Sequence, residues 1–300
     1  MDKFSVTVAI PCFNGEKFLL DNIASILRQS RIPDEILVID DGSTDCSAEI
    51  ARNFKEVKLI RHKSNLGLAE SRNTALKNSS GNIIVYVDAD TTSHPKLIET
   101  LLNGYSEEKV AGVGGRGIEL NGFPNNGKTS NIYNQWRSIH AAQGFGEEFI
   151  YGVNMLWGLC ASYRTEVLKK IGGFDTIYKT NGEDVDIGIK INNLGLKLVY
   201  IPKAIVYHKR NDDFASLREM LFRWYFWGYM AKRRNNIPAF ANYVKIILSN
   251  LIKNIIYDLI NKKSPSLALL SLKACWVELR ATLIAFASQR QLLSKKHGSN

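Results

Sequence analysis

The 300-residue sequence is poor in cysteine and proline, with four Cys (Cys12, Cys46, Cys160, Cys275) and seven Pro. The cysteines stand far apart, without a Cys-x-x-Cys pair or a Cys/His cluster. That argues against a zinc knuckle or a disulfide scaffold and suits a reducing cytoplasm. No run of about 18 uncharged apolar residues occurs, so no conventional transmembrane helix is readable. Met1-Asp2-Lys3-Phe4-Ser5 leads straight into a strand pattern, and no signal peptide is expected there. Internal repeats and low-complexity segments are missing too. What is present, 45% hydrophobic and 10% aromatic residues with 23% charged, supports a buried core in one large or two modest domains. The same figures exclude disorder and collagen-like repeats.

The charge is uneven. Of the formal net +10, residues from Lys209 onward carry 16 Lys/Arg against 5 Asp/Glu, a net of +11, while residues 1–208 are nearly neutral at −1. A basic third fits an anionic partner, nucleic acid or a membrane surface, or else a solvated helical face.

Continuous apolar runs predict strands over Val6–Pro11, Glu35–Asp40, Val57–Arg61 and Ile83–Asp88. Helical spacing between them predicts helices over Phe18–Leu27, Ala48–Phe54 and Leu68–Leu76, with cap-type residues at Thr44–Ser47. Such alternation implies a mostly parallel sheet covered on both faces, with ligands beyond the carboxyl ends of the strands. A Gly-rich stretch, Gly112–Gly117, then leads into a polar loop around Asn121–Lys128, a helix over Asn131–Ala142 and a strand over Leu156–Tyr163. Glu166–Ile171, a turn at Gly172-Gly173, a helix over Val185–Leu194 and strands at Lys197–Ile201 and Ala204–Tyr207 follow. After His208 long helices take over, near Ala215–Arg234, Phe240–Ile260 and Leu267–Phe286, punctuated by Pro238 and Ser264-Pro265. The expected division is 1–208 and 209–300.

Three strand ends are polar or acidic: Pro11-Cys12-Phe13-Asn14-Gly15, Asp40-Asp41-Gly42-Ser43-Thr44-Asp45 and Asp88-Ala89-Asp90. If strand geometry persists, alternation puts Asp88 and Asp90 on one side. Two such carboxylates are hard oxygen ligands for Mg²⁺ or Mn²⁺, and a bound ion could bridge diphosphate oxygens. Asp-x-Asp alone is common in surface turns; the apolar strand before it gives it weight.

Read together, these segments resemble the family 2 glycosyltransferases with a GT-A fold, over about Val6 to His208. The resemblance rests on Val8-Ala9-Ile10-Pro11-Cys12-Phe13-Asn14, Asp40–Asp45, Asn65-Leu66-Gly67 with Arg72-Asn73, Asp88-Ala89-Asp90, Gly172-Gly173-Phe174-Asp175 and Gly182-Glu183-Asp184-Val185-Asp186. It implies an α/β fold, a Rossmann-like mixed sheet flanked by helices, here with a C-terminal helical extension. The implied activity is inverting transfer of a sugar from a nucleotide-diphosphate sugar, usually UDP-linked, to an acceptor hydroxyl of a glycan or lipid-linked saccharide.

By the same resemblance, Asp40 and Asp41 receive the nucleobase, with Pro11 and Asn14 at the same mouth and Arg72 near the nucleotide. Asp88 and Asp90 hold the divalent metal, Asp88 beside the donor diphosphate. The residues taken singly leave alternatives: a helix-capping turn for Asp40–Asp45, a surface ion pair for Arg72, an ordinary loop for Asn65 and Gly67. The pair Glu183-Asp184 is implied to supply the catalytic base. Asp184 matches that position best, with Glu183 as fallback base or acceptor ligand. First-turn carboxylates also serve simply as helix-dipole partners. A base must reach the acceptor hydroxyl within hydrogen-bond distance. Asp186 reads as structural.

His208 stands where some family members place a metal-reaching histidine, and an imidazole beside two carboxylates suits Mn²⁺ somewhat better than Mg²⁺. His62, His94, His140 and His297 read as ordinary core or surface residues. Trp157, Gly158 and Arg164 lie on the segment that faces the acceptor in relatives, packing being the simpler role for Trp157.

Met220-Leu221-Phe222-Arg223-Trp224 resembles the Gln-x-x-Arg-Trp motif of processive polysaccharide synthases, with Met220 in place of the glutamine and without their multiple spans. The tail helices interleave apolar residues with Lys245, Lys253, Asp258, Lys273, Glu278 and Arg280. These amphipathic patterns fit peripheral contact with the inner face of a membrane, packing on the catalytic domain, or a homo-oligomer interface. A non-enzymatic nucleic-acid or membrane-surface binder is the rival reading. No nucleic-acid signature is present, however, and strand-end carboxylates repel phosphate, so no nucleic-acid partner is expected. A sugar nucleotidyltransferase would need a Gly-rich triphosphate loop where this chain has Pro11-Cys12-Phe13-Asn14.

Overall fold

The computed structural model describes residues 4–122 and 130–294, with the backbone alone at 289–294. His297 and most of the expected polar loop lie outside the described residues. The chain forms two compact units, Met1–Leu120 with Gln143–Arg210 and Asn121–Ala142 with Asn211–Asn300.

In the first unit the apolar runs become strands β1 (Val6–Cys12), β2 (Glu35–Asp40), β3 (Val57–Arg61) and β4 (Ile83–Val87). They pair in parallel in the order β3-β2-β1-β4. Helices α1 (Leu19–Leu27), α2 (Ser47–Arg52) and α3 (Leu68–Asn78) connect them. Alternation along the strands splits the core in two. Val6, Val8 and Ile10 of β1 with Ile83, Val85 and Val87 of β4 fill one core, while Ala9, Ile84 and Tyr86 fill the other. Both faces are therefore apolar, as the uninterrupted runs required.

Beyond β4 the sheet becomes mixed. Strand β8 (Cys160–Arg164) runs antiparallel to β4 and to β6 (Val110–Glu119), and β6 runs parallel to β9 (Lys197–His208). The short strands β5 (Thr91–Ser93) and β7 (Ile150–Tyr151) pair antiparallel with β9, and α4 (Leu97–Leu102) follows β5.

Two sequence expectations change here. The Gly-rich stretch is part of β6, and the two expected strands around Pro202 are one strand, β9. The register slips where Gly114 faces Tyr200 and Arg116 faces Ile205, so the Pro202 region is a bulge, where a proline is tolerated. The bulge brings backbone so close that a Cβ on Gly115 would lie 1.9 Å from the Ala204 carbonyl oxygen. Gly115 is what lets these two strands pair.

The second unit is helical: α5 (Ile132–His140), α8 (Phe214–Arg234), α9 (Phe240–Ile256) with a π-helical turn at Tyr257–Asn261, and α10 (Pro265–Ser294). Helices α6 (Thr165–Lys170) and α7 (Glu183–Asn193) belong to the first. A division at 208/209 leaves out the segment 121–142, which joins the helical unit because α5 packs there. Trp136 is buried with Leu217, Met220 and Leu270, and its Nε1 donates to Ser271 Oγ at 2.8 Å. Asp213 and Ser216 form a capping box that starts α8. Met220 lies in this core, while Arg223 pairs along the helix with Glu219 at 3.7 Å. Among the described residues no helix is long and apolar enough to cross a membrane.

Candidate active site

The acidic strand ends gather in the first unit. Strand β4 stops at Val87, so Asp88 and Asp90 are not placed by strand alternation as expected. A turn replaces it: the Asp88 carbonyl accepts from Thr91 N at 3.1 Å, Thr91 Oγ1 at 2.7 Å and Asn22 Nδ2 at 2.9 Å. Thr91 then pairs with His208 across β5 and β9, which carries the imidazole to the turn. One ligand atom each from Asp88, Asp90 and His208 lies within 4.8 Å of the others.

This donor set fits a divalent cation. Two carboxylate oxygens and an imidazole nitrogen suit Mn²⁺ or Mg²⁺. It already attracts positive charge: Arg210 Nη2 lies 3.1 Å from Asp90 Oδ2, and Arg210 Nε donates to His208 Nε2 at 2.9 Å. Burial alone would raise the Asp90 carboxyl, but His208 and Arg210 outweigh it and hold the group below the usual carboxylate range. His208 Nδ1 lies 3.1 Å from Glu119 Oε1, a contact of the kind that fixes the orientation of a ligating ring.

On the other side stands Arg72 of α3, only 2% exposed, so a surface ion pair is excluded. Its Nη1 donates to Glu183 Oε1 at 2.6 Å and its Nη2 to the Gly158 carbonyl at 3.0 Å. The same Nη2 lies 3.6 Å from Asp88 Oδ1. The rings of Tyr86 and Phe174 flank the guanidinium at 5.7 and 5.6 Å. Any side chain at position 158 would collide, since a Cβ there would sit 2.5 Å from Nη2.

Glu183 and Asp184 begin α7 directly after Gly182. The turn before them is anchored to α3 by Asn73, which donates to the Phe174 carbonyl and accepts from Phe174 N, both at 2.8 Å. Glu183 is buried, and its Oε2 has no hydrogen-bond partner. Burial pushes its carboxyl up to about 7, with the Asp184 charge adding and Arg72 opposing. Burial also raises half-buried Asp184, against Arg72 and backbone donors that include Gly158. Carboxylates of raised pKa are stronger bases near neutral pH than ordinary ones.

Asp40 and Asp41 are buried and tied into the fold. Asp40 accepts from Ser43 N at 2.9 Å and pairs with Arg61 Nε at 2.9 Å. Asp41 accepts from Leu66 N at 2.9 Å and Gly67 N at 2.8 Å, with His62 Nδ1 2.7 Å away. Exposed Asn14 accepts from Thr44 N at 2.9 Å, joining the loop after buried Pro11 to the loop after Asp41. Asp186 pairs with Lys190 at 2.8 Å. Arg164 lies elsewhere: it registers with Ile83, at the opposite end of β4 from Asp88, and its guanidinium sits over Phe4 and Tyr105.

The profile described as Glycosyl transferase family 2 matches residues 7–172. The chain belongs to this family. Over 242 residues it is 23% identical to a poly-beta-1,6-N-acetyl-D-glucosamine synthase of Staphylococcus epidermidis, covering 78% of this chain and 57% of that protein. The chain spans between 14% and 57% of the length of the curated relatives it matches. The solved mannosyltransferase PcManGT from Pyrobaculum calidifontis, in complex with GDP-Man and Mn²⁺, aligns with a TM-score of 0.63 at 19% identity, over 96% of this chain and 88% of that one. TarS of S. aureus in complex with UDP aligns at 0.53 and 17%, over 96% and 91%. This family 2 member thus has the expected α/β GT-A architecture, a mixed sheet flanked by helices.

Sequence reasoning missed Glu119 and Arg210. Glu119 ends β6 and registers directly against His208, a relation hidden because no strand was expected over the Gly-rich stretch. Arg210 lies two residues beyond His208, and its proximity to the histidine was the available signal.

Proposed function

We propose that this glycosyltransferase moves a sugar, with inversion, from a nucleotide-diphosphate sugar to a hydroxyl of a glycan or lipid-linked saccharide. The observation that carries the reading is Arg72: one buried guanidinium lies 2.6 Å from Glu183 and 3.6 Å from Asp88. It joins the carboxylates at the start of α7 to those at the end of β4. Asp88, Asp90 and His208 would hold Mn²⁺ or Mg²⁺, which when bound offsets the charge of a departing diphosphate.

Arg72 engages Glu183, leaving Asp184 as the carboxylate for the acceptor. Asp184 takes the hydroxyl proton while the acceptor oxygen bonds to the anomeric carbon, and the bond to the nucleoside diphosphate breaks on the opposite face. Pro11, Asn14, Asp40 and Asp41 frame the nucleobase. The two aspartates act by fixing their loops, since the fold's own donors already engage both carboxylates. A uridine donor is the preferred assignment, supported by the sequence motifs; the GDP-Man of PcManGT makes a guanosine donor the direct competitor.

The test is a panel of UDP-, GDP- and dTDP-sugars, scored for nucleoside diphosphate release with Mn²⁺, Mg²⁺ or a chelator. Metal-dependent release from UDP-sugars is expected. Pyrophosphate release, or no release from any donor, would contradict the reading.

A further inference from the structure

We infer that the outward faces of α9 and α10 form a docking surface for an anionic lipid bilayer. Helix α10 exposes Leu269, Leu272, Trp276, Leu283 and Phe286. Their spacing of three, four, seven and three residues keeps them on one stripe. Helix α9 and the π-helical turn add Ile252, Ile256, Leu259 and Ile260. Ile260 is 68% exposed, Ile252 61% and Trp276 60%, so these are outward side chains and not edges of the core. The opposite side of α10 is occupied, with Leu267, Leu270, Ala274 and Val277 buried in the unit's own core. A helix apolar on two sides, one of them uncovered, is an interaction surface.

Charge selects the occupant. Between residues 240 and 288 every exposed charged side chain is basic: Lys245, Lys253, Lys262, Lys263, Lys273 and Arg280. The two acids of this stretch, Asp258 and Glu278, are buried. A second copy docking face to face would set a basic rim against a basic rim. An anionic headgroup layer meets that rim with opposite charge while its acyl boundary takes the apolar stripe. Lys262 Nζ lies 5.8 Å from the Tyr257 ring centre, and the Arg280 guanidinium 5.3 Å from that of Trp276. Cations on long stems beside aromatic rings are what an interfacial position favours. Among the described residues no helix is long and apolar enough to span, so on a bilayer these helices would lie along the surface.

The experiment sediments the full chain with vesicles of phosphatidylcholine alone and of phosphatidylcholine with phosphatidylglycerol. Binding is expected to the anionic vesicles and not to the neutral ones, weakening as salt rises. The triple variant Lys253→Gln/Lys262→Gln/Lys273→Gln should bind about 100-fold more weakly, from roughly fivefold per neutralised residue. Ile252→Ser/Trp276→Ser should lose at least about tenfold without touching charge. Brominated lipid should quench part of the tryptophan emission in the native chain and less of it in Trp276→Phe. These positions are exposed, and circular dichroism checks that the helices persist in each variant. Failure to bind either vesicle type, equal binding to both, or full binding by both sets of variants would overturn the inference. So would self-association in solution that Ile252→Ser/Trp276→Ser abolishes while vesicles bind nothing, which would assign the face to a second copy.

Discussion

The two units bury charge for different ends. In the helical unit two buried ionic groups are closed sets. Asp258 lies 2.7 Å from His140 Nε2 and accepts from Ser271 Oγ at 2.7 Å, and Arg137 pairs with Asp212 at 3.1 Å. The sheet unit has closed sets at Asp40 and Asp41, but around Arg72 and His208 the charges are left open. Glu183 keeps a buried oxygen without a hydrogen-bond partner, and Asp88 and Asp90 remain half-exposed beside fully buried His208. A closed set satisfies its own desolvation cost and holds helices together. An open one is tolerated where a ligand completes it. Burial of charge alone therefore does not mark a site; incomplete pairing does.

The contrast breaks most visibly at the open end. Asp90→Ala should cut sugar transfer by about 10³-fold or more, since the group neutralising the diphosphate loses a ligand. Near-normal turnover of that variant in chelator would remove the metal from the account. Next in size, Arg72→Met should lower stability by ~3–5 kcal/mol, because it leaves the Glu183 charge buried without its partner. Denaturant unfolding measures this, and an unchanged midpoint would mean the pair is not coupled to folding.

A closed set should behave otherwise. Asp258→Ala should cost ~1–3 kcal/mol of stability by stranding His140 and Ser271, with kcat unaltered at temperatures where the fold persists. A kcat loss matching that of Asp90→Ala would dissolve the distinction between the units. The smallest effect is set by pH. The Asp184 carboxyl, raised by burial, must lose its proton to act as base, so kcat should rise with pH to a plateau. Below it the fall should approach about tenfold per pH unit, and a flat profile between about pH 5 and 8 would exclude Asp184 as the base.

How much of this was legible in the sequence follows the same division between local and tertiary causes. Strands β1, β2 and β4 announced themselves because a strand buried on both faces has to be apolar throughout. Strand β6 did not, because its glycines answer to the backbone of β9, a neighbour about 90 residues away in the chain. Short β5 and β7 carry too few residues for a period to show. Asp88, Asp90, Arg72, Glu183 and Asp184 were found through motifs, and the structure brings Arg72 to both Asp88 and Glu183. Strand alternation would have placed Asp88 and Asp90 had the strand persisted, but β4 ends at Val87 and a turn places them instead. Glu119 and the transfer of 121–142 to the helical unit depend on register and on Trp136 packing, which no local pattern encodes.

The central claim is a division of labour across Arg72, with the base on one side and donor binding on the other. Its most direct test is Asp184→Asn, with nucleoside diphosphate affinity measured by calorimetry in Mn²⁺ and kcat measured on the same preparation. The account predicts native affinity with kcat lower by ~10²–10⁴. Lost affinity with kcat unchanged would place Asp184 in the donor site and contradict it.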